Sequence, residues 1–178
     1  MEISHIVTDS VRKPSWSPDG KVIAGGVGNS VILWSVEGGE ELLRLEGHTE
    51  DVFSVEFSPD GTLIASGSYD QTVRLWDLMK GEQVYVSPWE GWNRHSCLAF
   101  SPDGGLFAFC AAGNKIKFLD TDNFSEINNS IFHSSSVESF AFSPNGELLA
   151  SSLDKFVFLW DINNGVKVDT FEIVRPED

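Results

Sequence analysis

The sequence has few basic residues and no long apolar run. Its 178 residues include 12 Lys and Arg against 27 Asp and Glu, so the formal net charge is −15. Nucleic-acid backbones and anionic membrane surfaces are bound by clustered Lys and Arg. We therefore expect neither nucleic acid nor a membrane as a partner, whereas the charge permits a basic protein partner. No apolar run approaches 18 residues, so no membrane span is predicted.

The sequence also contains few cysteines and histidines, and it shows no pattern of a targeting segment. Cys97 and Cys110 lie in apolar, strand-like stretches, which favours two buried thiols over a disulfide. The spacing of the two cysteines and four histidines is not that of a metal site, so we predict no metal and no cofactor. The first ten residues, MEISHIVTDS, lack the basic and apolar parts of a signal peptide, and we predict a cytoplasmic location. Their role is left open between an added outer strand and a leader.

Two sequence markers recur with one period. Trp34, Trp76, Leu119 and Trp160 each end an apolar segment, at steps of about 42, 43 and 41 residues. The tetrapeptide SPDG begins at residues 17, 58 and 101, and SPNG begins at residue 143. Two independent markers with one period indicate an internal repeat.

Each repeat contains four short apolar segments separated by turns. In the second repeat these segments are DVFSVEFS, TLIASGS, TVRLWD and QVYVS. SPDG predicts a tight turn, because its Pro presets φ and its Gly tolerates a positive φ. Strands with turn signals every 8–12 residues predict an all-β fold. Four-stranded units at this period are typical of propeller blades.

These residues resemble the WD-repeat β-propeller family. The resemblance covers about residues 11–174 and rests on Gly47-His48, on the SPDG turns, and on the Trp-Asp pairs at residues 76–77 and 160–161. It implies a single propeller domain or half of a propeller across residues 1–178, built from four-stranded antiparallel blades. The four predicted blades are at about residues 11–46, 52–90, 95–132 and 137–174.

The sequence predicts four blades, whereas the resemblance implies a ring closed by about seven blades. Three interpretations follow: two chains complete an eight-bladed ring as a homodimer, the chain is half of a longer protein, or four blades close alone. The first two leave apolar end faces exposed on a single chain, and such faces drive association. We favour self-association of two chains through these end faces.

The resemblance also implies two structural tetrads, in which Trp donates a hydrogen bond to Ser, Ser to His, and His to Asp. The matching positions are His48, Ser66, Asp70 and Trp76 in repeat two, and His133, Ser151, Asp154 and Trp160 in repeat four. Repeat four is one residue shorter in its second hairpin, which puts the place of Ser151 in question. Repeats one and three depart from the pattern, with Gly28 and Gly113 at the Asp position and Leu119 at one Trp position.

A Ser-His-Asp set also suggests a hydrolase, and some propellers of other families carry an enzymatic site in a central channel. This set occurs twice, at the repeat period and together with a Trp, whereas a catalytic set is built once. The chain also lacks a G-x-S-x-G elbow. His5 and His95, the two remaining histidines, do not make a metal site. We therefore predict no catalytic residues.

The resemblance implies that partners bind on the loop face of the propeller. By position, this face holds Arg12, Asp51, Phe53, Tyr69, Trp92, Arg94 and Glu138. Aromatic and Arg side chains are enriched at binding hot spots. The alternatives are ordinary packing for Phe53 and Trp92, and weak surface ion pairs for Arg12 and Arg94. We predict a non-enzymatic scaffold for a protein or peptide partner. The alternative is a purely structural module, a fragment or an engineered chain, that associates only with itself.

Overall fold

Sixteen β-strands make up the regular structure of the described residues. The computed structural model of the protein describes residues 11–87 and 97–173. The strands form four four-stranded antiparallel sheets, and each sheet contains four consecutive strands in chain order. The all-β prediction and the four-stranded antiparallel unit are therefore confirmed. No helix in the described ranges could span a bilayer.

The described residues fall into two compact units, which lie within Met1–Trp89 and Glu90–Asp178. In the first unit, sheet one contains β1 (Arg12–Trp16), β2 (Val22–Val27), β3 (Ser30–Ser35) and β4 (Glu41–Leu45). Sheet two contains β5 (Val52–Phe57), β6 (Leu63–Ser68), β7 (Val73–Asp77) and β8 (Glu82–Val86).

The second unit repeats the same arrangement. Sheet three contains β9 (Leu98–Phe100), β10 (Leu106–Ala111), β11 (Lys115–Asp120) and β12 (Glu126–Phe132). Sheet four contains β13 (Ser139–Phe142), β14 (Leu148–Leu153), β15 (Phe156–Asp161) and β16 (Val166–Glu172).

The SPDG motif builds the turn between the first two strands of a sheet. In sheet two, Ser58 Oγ donates to Asp60 Oδ1 at 2.6 Å and accepts the Leu63 N–H at 2.9 Å. Gly61 has a φ of 72° and donates its N–H to the Ser58 carbonyl. The equivalent Ser and Asp or Asn oxygens are 2.5–2.7 Å apart in the other three sheets. The Ser58 hydroxyl is the main cause that lowers the pKa of Asp60. Each residue of the motif thus has a defined part in the turn.

The core of each unit lies between its two sheets. We call the face of a sheet that packs against the following sheet its forward face, and the face that packs against the preceding sheet its backward face. In the first unit, the forward face of sheet one contributes Ala24, Val31, Leu33 and Leu45, and the backward face of sheet two contributes Val52, Val55, Phe57, Ile64 and Trp76.

The core of the second unit uses the equivalent positions. The forward face of sheet three contributes Ala108, Ile116, Phe118 and Ile131, and the backward face of sheet four contributes Val137, Leu149 and Ile162, with Phe140, Phe142 and Trp160 packed against them. The same positions therefore bury the same faces in both units.

Sheets one and two approach each other closely at a glycine. A Cβ atom on Gly26 would collide with the carbonyl oxygen of Val52, because it would lie closer to that oxygen than Cβ atoms approach any other heavy atom in proteins. The Val52 N–H also donates to the carbonyl of Gly28 at 2.7 Å. The absence of a side chain at residue 26 lets the backbone of sheet two reach sheet one.

The two cysteines are thiols in sheet three, where Cys97 directly precedes β9 and Cys110 lies on β10. The Cys110 N–H donates to the Cys97 carbonyl at 3.1 Å, and the Cys97 thiol donates to the Glu138 carbonyl at 3.1 Å. Cys97 is buried, as predicted. Cys110 is only partly buried, so the prediction of two buried thiols was wrong for this residue.

Candidate partner-binding surface and buried hydrogen-bond networks

Four residues of sheet two form a continuous chain of hydrogen bonds. The Trp76 indole N–H donates to Ser66 Oγ at 2.8 Å, and Ser66 Oγ lies 2.8 Å from His48 Nε2. His48 Nδ1 lies 2.8 Å from Asp70 Oδ2. Ser66 and Trp76 lie on the central strands, His48 precedes β5, and Asp70 lies in the β6–β7 turn. The chain of bonds ties this turn and the segment before β5 to the middle of the sheet.

The charges of this chain are set by burial and by the bonds themselves. The side chains of His48 and Asp70 are only 1% and 4% exposed. Burial lowers the pKa of His48, although the hydrogen bond to Asp70 acts in the opposite direction. A neutral imidazole has one donor nitrogen, so Nδ1–H donates to Asp70 while Nε2 accepts the hydroxyl of Ser66.

Asp70 also holds the turn in which it lies. Its Oδ1 accepts the N–H and the hydroxyl of Thr72 at 2.9 and 2.7 Å, and its Oδ2 accepts the Thr49 N–H at 3.1 Å. Burial acts to raise the pKa of Asp70, but the bonds from Thr72 and His48 outweigh it, and the pKa is lowered. A guanidinium nitrogen of Arg74 lies 3.9 Å away. The carboxylate is therefore occupied by internal partners.

Sheet four contains a shorter version of the same chain. The Trp160 indole N–H donates to Ser151 Oγ at 2.8 Å, and Ser151 Oγ lies 3.1 Å from His133 Nε2. No hydrogen bond joins His133 to Asp154 within the described part of the chain. The sequence-based expectation of a fourth member was therefore wrong at Asp154, whereas Ser151, whose place was in question, is in the chain.

The missing residue in the second hairpin explains this difference. Leu153 pairs with Phe156, so Asp154 and Lys155 alone form the β14–β15 turn, and Asp154 has a φ of 53°. Asp70, by contrast, lies in a longer turn between Gly67 and Val73.

Aromatic rings surround His133 where sheet two has polar groups. The rings of Phe158 and Trp160 both lie edge-on to the imidazole, with centroids 5.2 Å away. Phe158 lies opposite Ser151, as Arg74 lies opposite Ser66. Burial, followed by the nearby charge of Lys167, lowers the pKa of His133.

Sheets one and three lack the hydroxyl at the centre of the chain. Gly25 and Phe109 occupy the strand positions that Ser66 and Ser151 hold in the other two sheets. In sheet three, Leu119 occupies the position that Trp holds in the other sheets, and it is fully buried. Apolar packing takes the place of hydrogen bonding here, as in the contact between Phe107 and Phe109, whose rings are 5.7 Å apart.

Four of the predicted binding residues meet at one end of the first unit. We call Arg12, Asp51, Phe53 and Tyr69 the loop-end cluster. Arg12 donates from Nη1 to the Tyr69 hydroxyl at 3.1 Å and from Nη2 to Asp51 Oδ2 at 3.3 Å. The rings of Phe53 and Tyr69 pack edge to face with centroids 4.9 Å apart. The Tyr69 N–H donates to the Asp51 carbonyl at 3.0 Å, which fixes the turn on the strand.

The remaining predicted binding residues are placed separately or lie outside the described residues. Glu138 is exposed in the second unit, and its N–H donates to the Ser152 carbonyl. Trp92 and Arg94 lie outside the described residues. Phe53 is partly buried, as the alternative of ordinary packing predicts. Arg12 forms an ion pair with Asp51, as the alternative of a surface ion pair predicts.

Sequence reasoning missed Thr72 and Arg74, which bond or approach the buried carboxylate of Asp70. No spacing in the sequence identifies these two residues, because their contact with Asp70 arises only in the folded turn. The described residues contain no cluster of three or more His, Cys, Asp or Glu side chains that could hold a metal ion.

The chain is similar to proteins built from WD repeats. The family model described as "WD domain, G-beta repeat" matches residues 3–35, 39–77 and 126–161. The last two ranges begin at or just before the fourth strand of one sheet and end at the last residue of the third strand of another. The matched ranges leave out residues 78–125, where Gly113 and Leu119 replace the tetrad residues.

Three relatives illustrate the similarity. The "Periodic tryptophan protein 2 homolog" of Schizosaccharomyces pombe is 28% identical over 90% of this chain and 21% of its own length. The "U3 small nucleolar RNA-associated protein 15 homolog" of Xenopus tropicalis is 34% identical over 83% of this chain and 28% of its own length. The "WD repeat and SOCS box-containing protein 1" of Xenopus tropicalis is 37% identical over 68% and 29%. The chain spans less than a third of each relative.

Proposed function

Because the chain belongs to the WD-repeat family, we propose that it is a non-enzymatic scaffold that binds a protein or peptide partner at the loop-end cluster. The observation that carries the proposal is the convergence of four side chains from three separate segments of the chain on one exposed end of sheets one and two. Loops and strand ends on a rigid sheet are well suited to binding, because the scaffold fixes the side chains before the partner arrives.

The composition of the cluster supports binding. Tyr, Phe and Arg provide large contact areas and are enriched among residues that dominate binding energy. Tyr69 remains 38% exposed although its ring packs against Phe53 and the guanidinium of Arg12. The contacts hold its ring in place, so a partner would bind it with little loss of side-chain freedom.

The His-Ser pair of sheet two does not support a hydrolase. His48 and Ser66 are buried, and every polar side-chain atom of the pair bonds to another member of the tetrad. A nucleophile needs access to a substrate, and neither hydroxyl nor imidazole of sheet two has it. None of the three relatives' names states an enzymatic activity.

The net charge of −15 favours a partner that presents Lys or Arg beside an apolar group. Asp51 supplies a partly exposed carboxylate within the cluster, and Tyr69 and Phe53 supply the apolar surface. We keep the cytoplasmic location as a prediction, together with the exclusion of nucleic acid and membrane partners.

An affinity capture experiment with single variants tests the proposal. Tyr69→Ala and Arg12→Ala are used as baits beside the unchanged chain and Met79→Ala. Met79 is the matched control because it is apolar, 89% exposed, and lies in the β7–β8 turn at the other end of β7. We expect a set of proteins that the unchanged chain and Met79→Ala retain and that both cluster variants lose. Equal capture by all four baits, with unchanged unfolding midpoints, would contradict binding at this cluster.

We also propose that two chains associate through their end sheets and complete an eight-bladed ring. The favouring observation is that apolar positions that are buried in sheets two and three are exposed in sheets one and four, such as Trp16 and Phe171. Every variant could capture the same proteins as the unchanged chain while the chain is dimeric. In that case the purely structural, self-associating module is the better interpretation.

A further inference from the structure

We propose that the forward face of sheet four binds the backward face of sheet one of a second copy of this chain. The inference rests on the self-association proposed above and adds to it which two faces meet. Faces of different kinds pair in this arrangement, so a dimer that closes on itself contains two identical junctions.

The forward face of sheet four is apolar and, within the described residues, partly or largely exposed. Its residues are Ala150, Val157, Leu159 and Phe171, by register with the forward faces of sheets one and three. Phe171 is 49% exposed, whereas Ile131 at the same position of sheet three is 2% exposed. Leu159 is likewise partly exposed, whereas Phe118 at its position is 1% exposed. Sheet four thus carries the residue types of a junction core on a face that no sheet in the described part of the chain covers to the extent seen in sheet three.

The backward face of sheet one also carries exposed apolar side chains at positions that are buried in sheet two. Trp16 is 58% exposed, whereas Phe57 at the same position of sheet two is 7% exposed. Val11 is 46% exposed, whereas Val52 at its position is 1% exposed. In the second unit, the ring of Phe142 at the Trp16 position lies 6.4 Å from the ring of Phe118. The Trp16 of a second copy would therefore meet Leu159.

The turns supply a second, independent match. Within each unit, the Pro of one SPDG turn lies beside the Gly of the next. A Cβ on Gly61 would be 3.3 Å from Pro18, and one on Gly146 would be 3.6 Å from Pro102. A Cβ on Gly20 would have nothing within 4 Å among the described residues.

Pro144, in the corresponding turn of sheet four, is exposed. The unmatched Pro is on sheet four and the unmatched Gly is on sheet one, so this match favours pairing of sheet four with sheet one. Pairing of sheet four with sheet four would bring Pro to Pro.

The charge of the chain predicts how the association responds to salt. Two copies that each carry −15 repel each other, and this repulsion is screened by added salt. The apolar faces are not weakened by moderate salt. Association through these faces should therefore become tighter between low and physiological ionic strength.

The test uses light scattering over a dilution series with three variants. Trp16→Glu places a charge on the backward face of sheet one, and Phe171→Glu places one on the forward face of sheet four. Both residues are about half exposed, so the single chain should still fold, which the unfolding midpoint checks. Met79→Glu is the matched control, because it adds the same charge at an exposed apolar residue outside both faces.

We expect the unchanged chain and Met79→Glu to have twice the mass of 19.6 kDa, and each face variant to have the single mass. Mixing the two face variants should restore a dimer, held by the one junction in which both faces are intact. A Trp16→Glu chain that remains dimeric while Phe171→Glu is monomeric would show that two sheet-four faces pair and would overturn the inference.

An unchanged chain that is monomeric at every concentration would overturn self-association and this pairing together. It would leave the loop-end cluster to be judged by the capture experiment, since that cluster lies on neither face.

Discussion

Ser66 accepts the indole N–H of Trp76 at 2.8 Å in a site from which solvent is excluded. The pair lies at the centre of sheet two, and the same hydroxyl continues the chain to His48. A buried indole N–H that loses its acceptor, or a hydroxyl that loses its donor, costs more than an exposed hydrogen bond. The stability of this sheet should therefore depend on polar contacts that sheet one lacks.

Replacement of Trp76 by Phe should cost more stability than the same replacement at Trp34. Both indoles occupy the same strand position, but Trp34 lies next to Gly25, which has no hydroxyl. The loss of apolar area is similar in the two variants, and only Trp76→Phe also breaks a buried hydrogen bond. We expect a difference in unfolding free energy of about 1–2 kcal/mol, measured by urea denaturation. Equal losses would show that the bond adds nothing to stability.

Asp70→Asn should lower the free energy of unfolding much more than Asp154→Asn. Asp70 accepts bonds from His48, Thr49 and Thr72, so the amide would bring N–H groups against donors. We expect a loss of about 2 kcal/mol for Asp70→Asn. Asp154 is exposed in a two-residue turn with positive φ, which Asn tolerates, so its loss should stay below about 0.5 kcal/mol. A larger effect at Asp154 would mean that it joins the sheet-four chain in solution.

Stability should fall as the pH is lowered below about 6.5. The pKa of His48 and that of His133 are both lowered in the folded state, so the unfolded chain takes up protons first. The stabilisation is complete above the unfolded pKa and is lost as pH falls through the folded one. Carboxylates with lowered pKa, such as Asp70, lose theirs only at lower pH.

Urea denaturation at pH 7.5 and 5.5 separates these windows. We expect lower stability at pH 5.5 and a smaller drop for His48→Gln and for His133→Gln. Higher stability at pH 5.5 would show that Asp70 raises the pKa of His48 above its unfolded value.

Gly26→Ala should weaken the junction between sheets one and two. The new Cβ would meet the carbonyl oxygen of Val52 at 2.3 Å, and backbone cannot rotate away as a side chain can. We expect a loss of about 2–3 kcal/mol. Gly105→Ala is the matched control, because its Cβ would have only ordinary contacts at 3.6 Å or more. A Gly26→Ala chain as stable as this control would show that the sheets separate without cost.

Much of the fold could be predicted because its signals are local. The SPDG turns and the Trp-Asp strand ends lie within single hairpins, where turn residues and alternation decide the structure. The spacing of His48, Ser66, Asp70 and Trp76 matched a known pattern, and the structure joins all four. The failure at Asp154 has a local cause as well, because one residue fewer between Leu153 and Phe156 leaves room only for a tight turn.

The surfaces could not be predicted to the same extent. Arg12 and Tyr69 are 57 residues apart in sequence, and no periodicity states that a guanidinium will reach that hydroxyl. Trp16 is exposed, whereas Phe57 at the same position of the next sheet is buried, and the residue type alone cannot reveal this difference. Contacts between repeats follow from packing, whereas the repeats themselves follow from local sequence.

Photo-crosslinking from the loop-end cluster tests the scaffold function most directly. A photo-reactive phenylalanine analogue is placed at residue 69 and, as the matched control, at residue 79. We expect crosslinks from residue 69 to the proteins that Arg12→Ala fails to capture, and none of these from residue 79. Crosslinks to those proteins from residue 79 but not from residue 69 would contradict binding at the loop-end cluster.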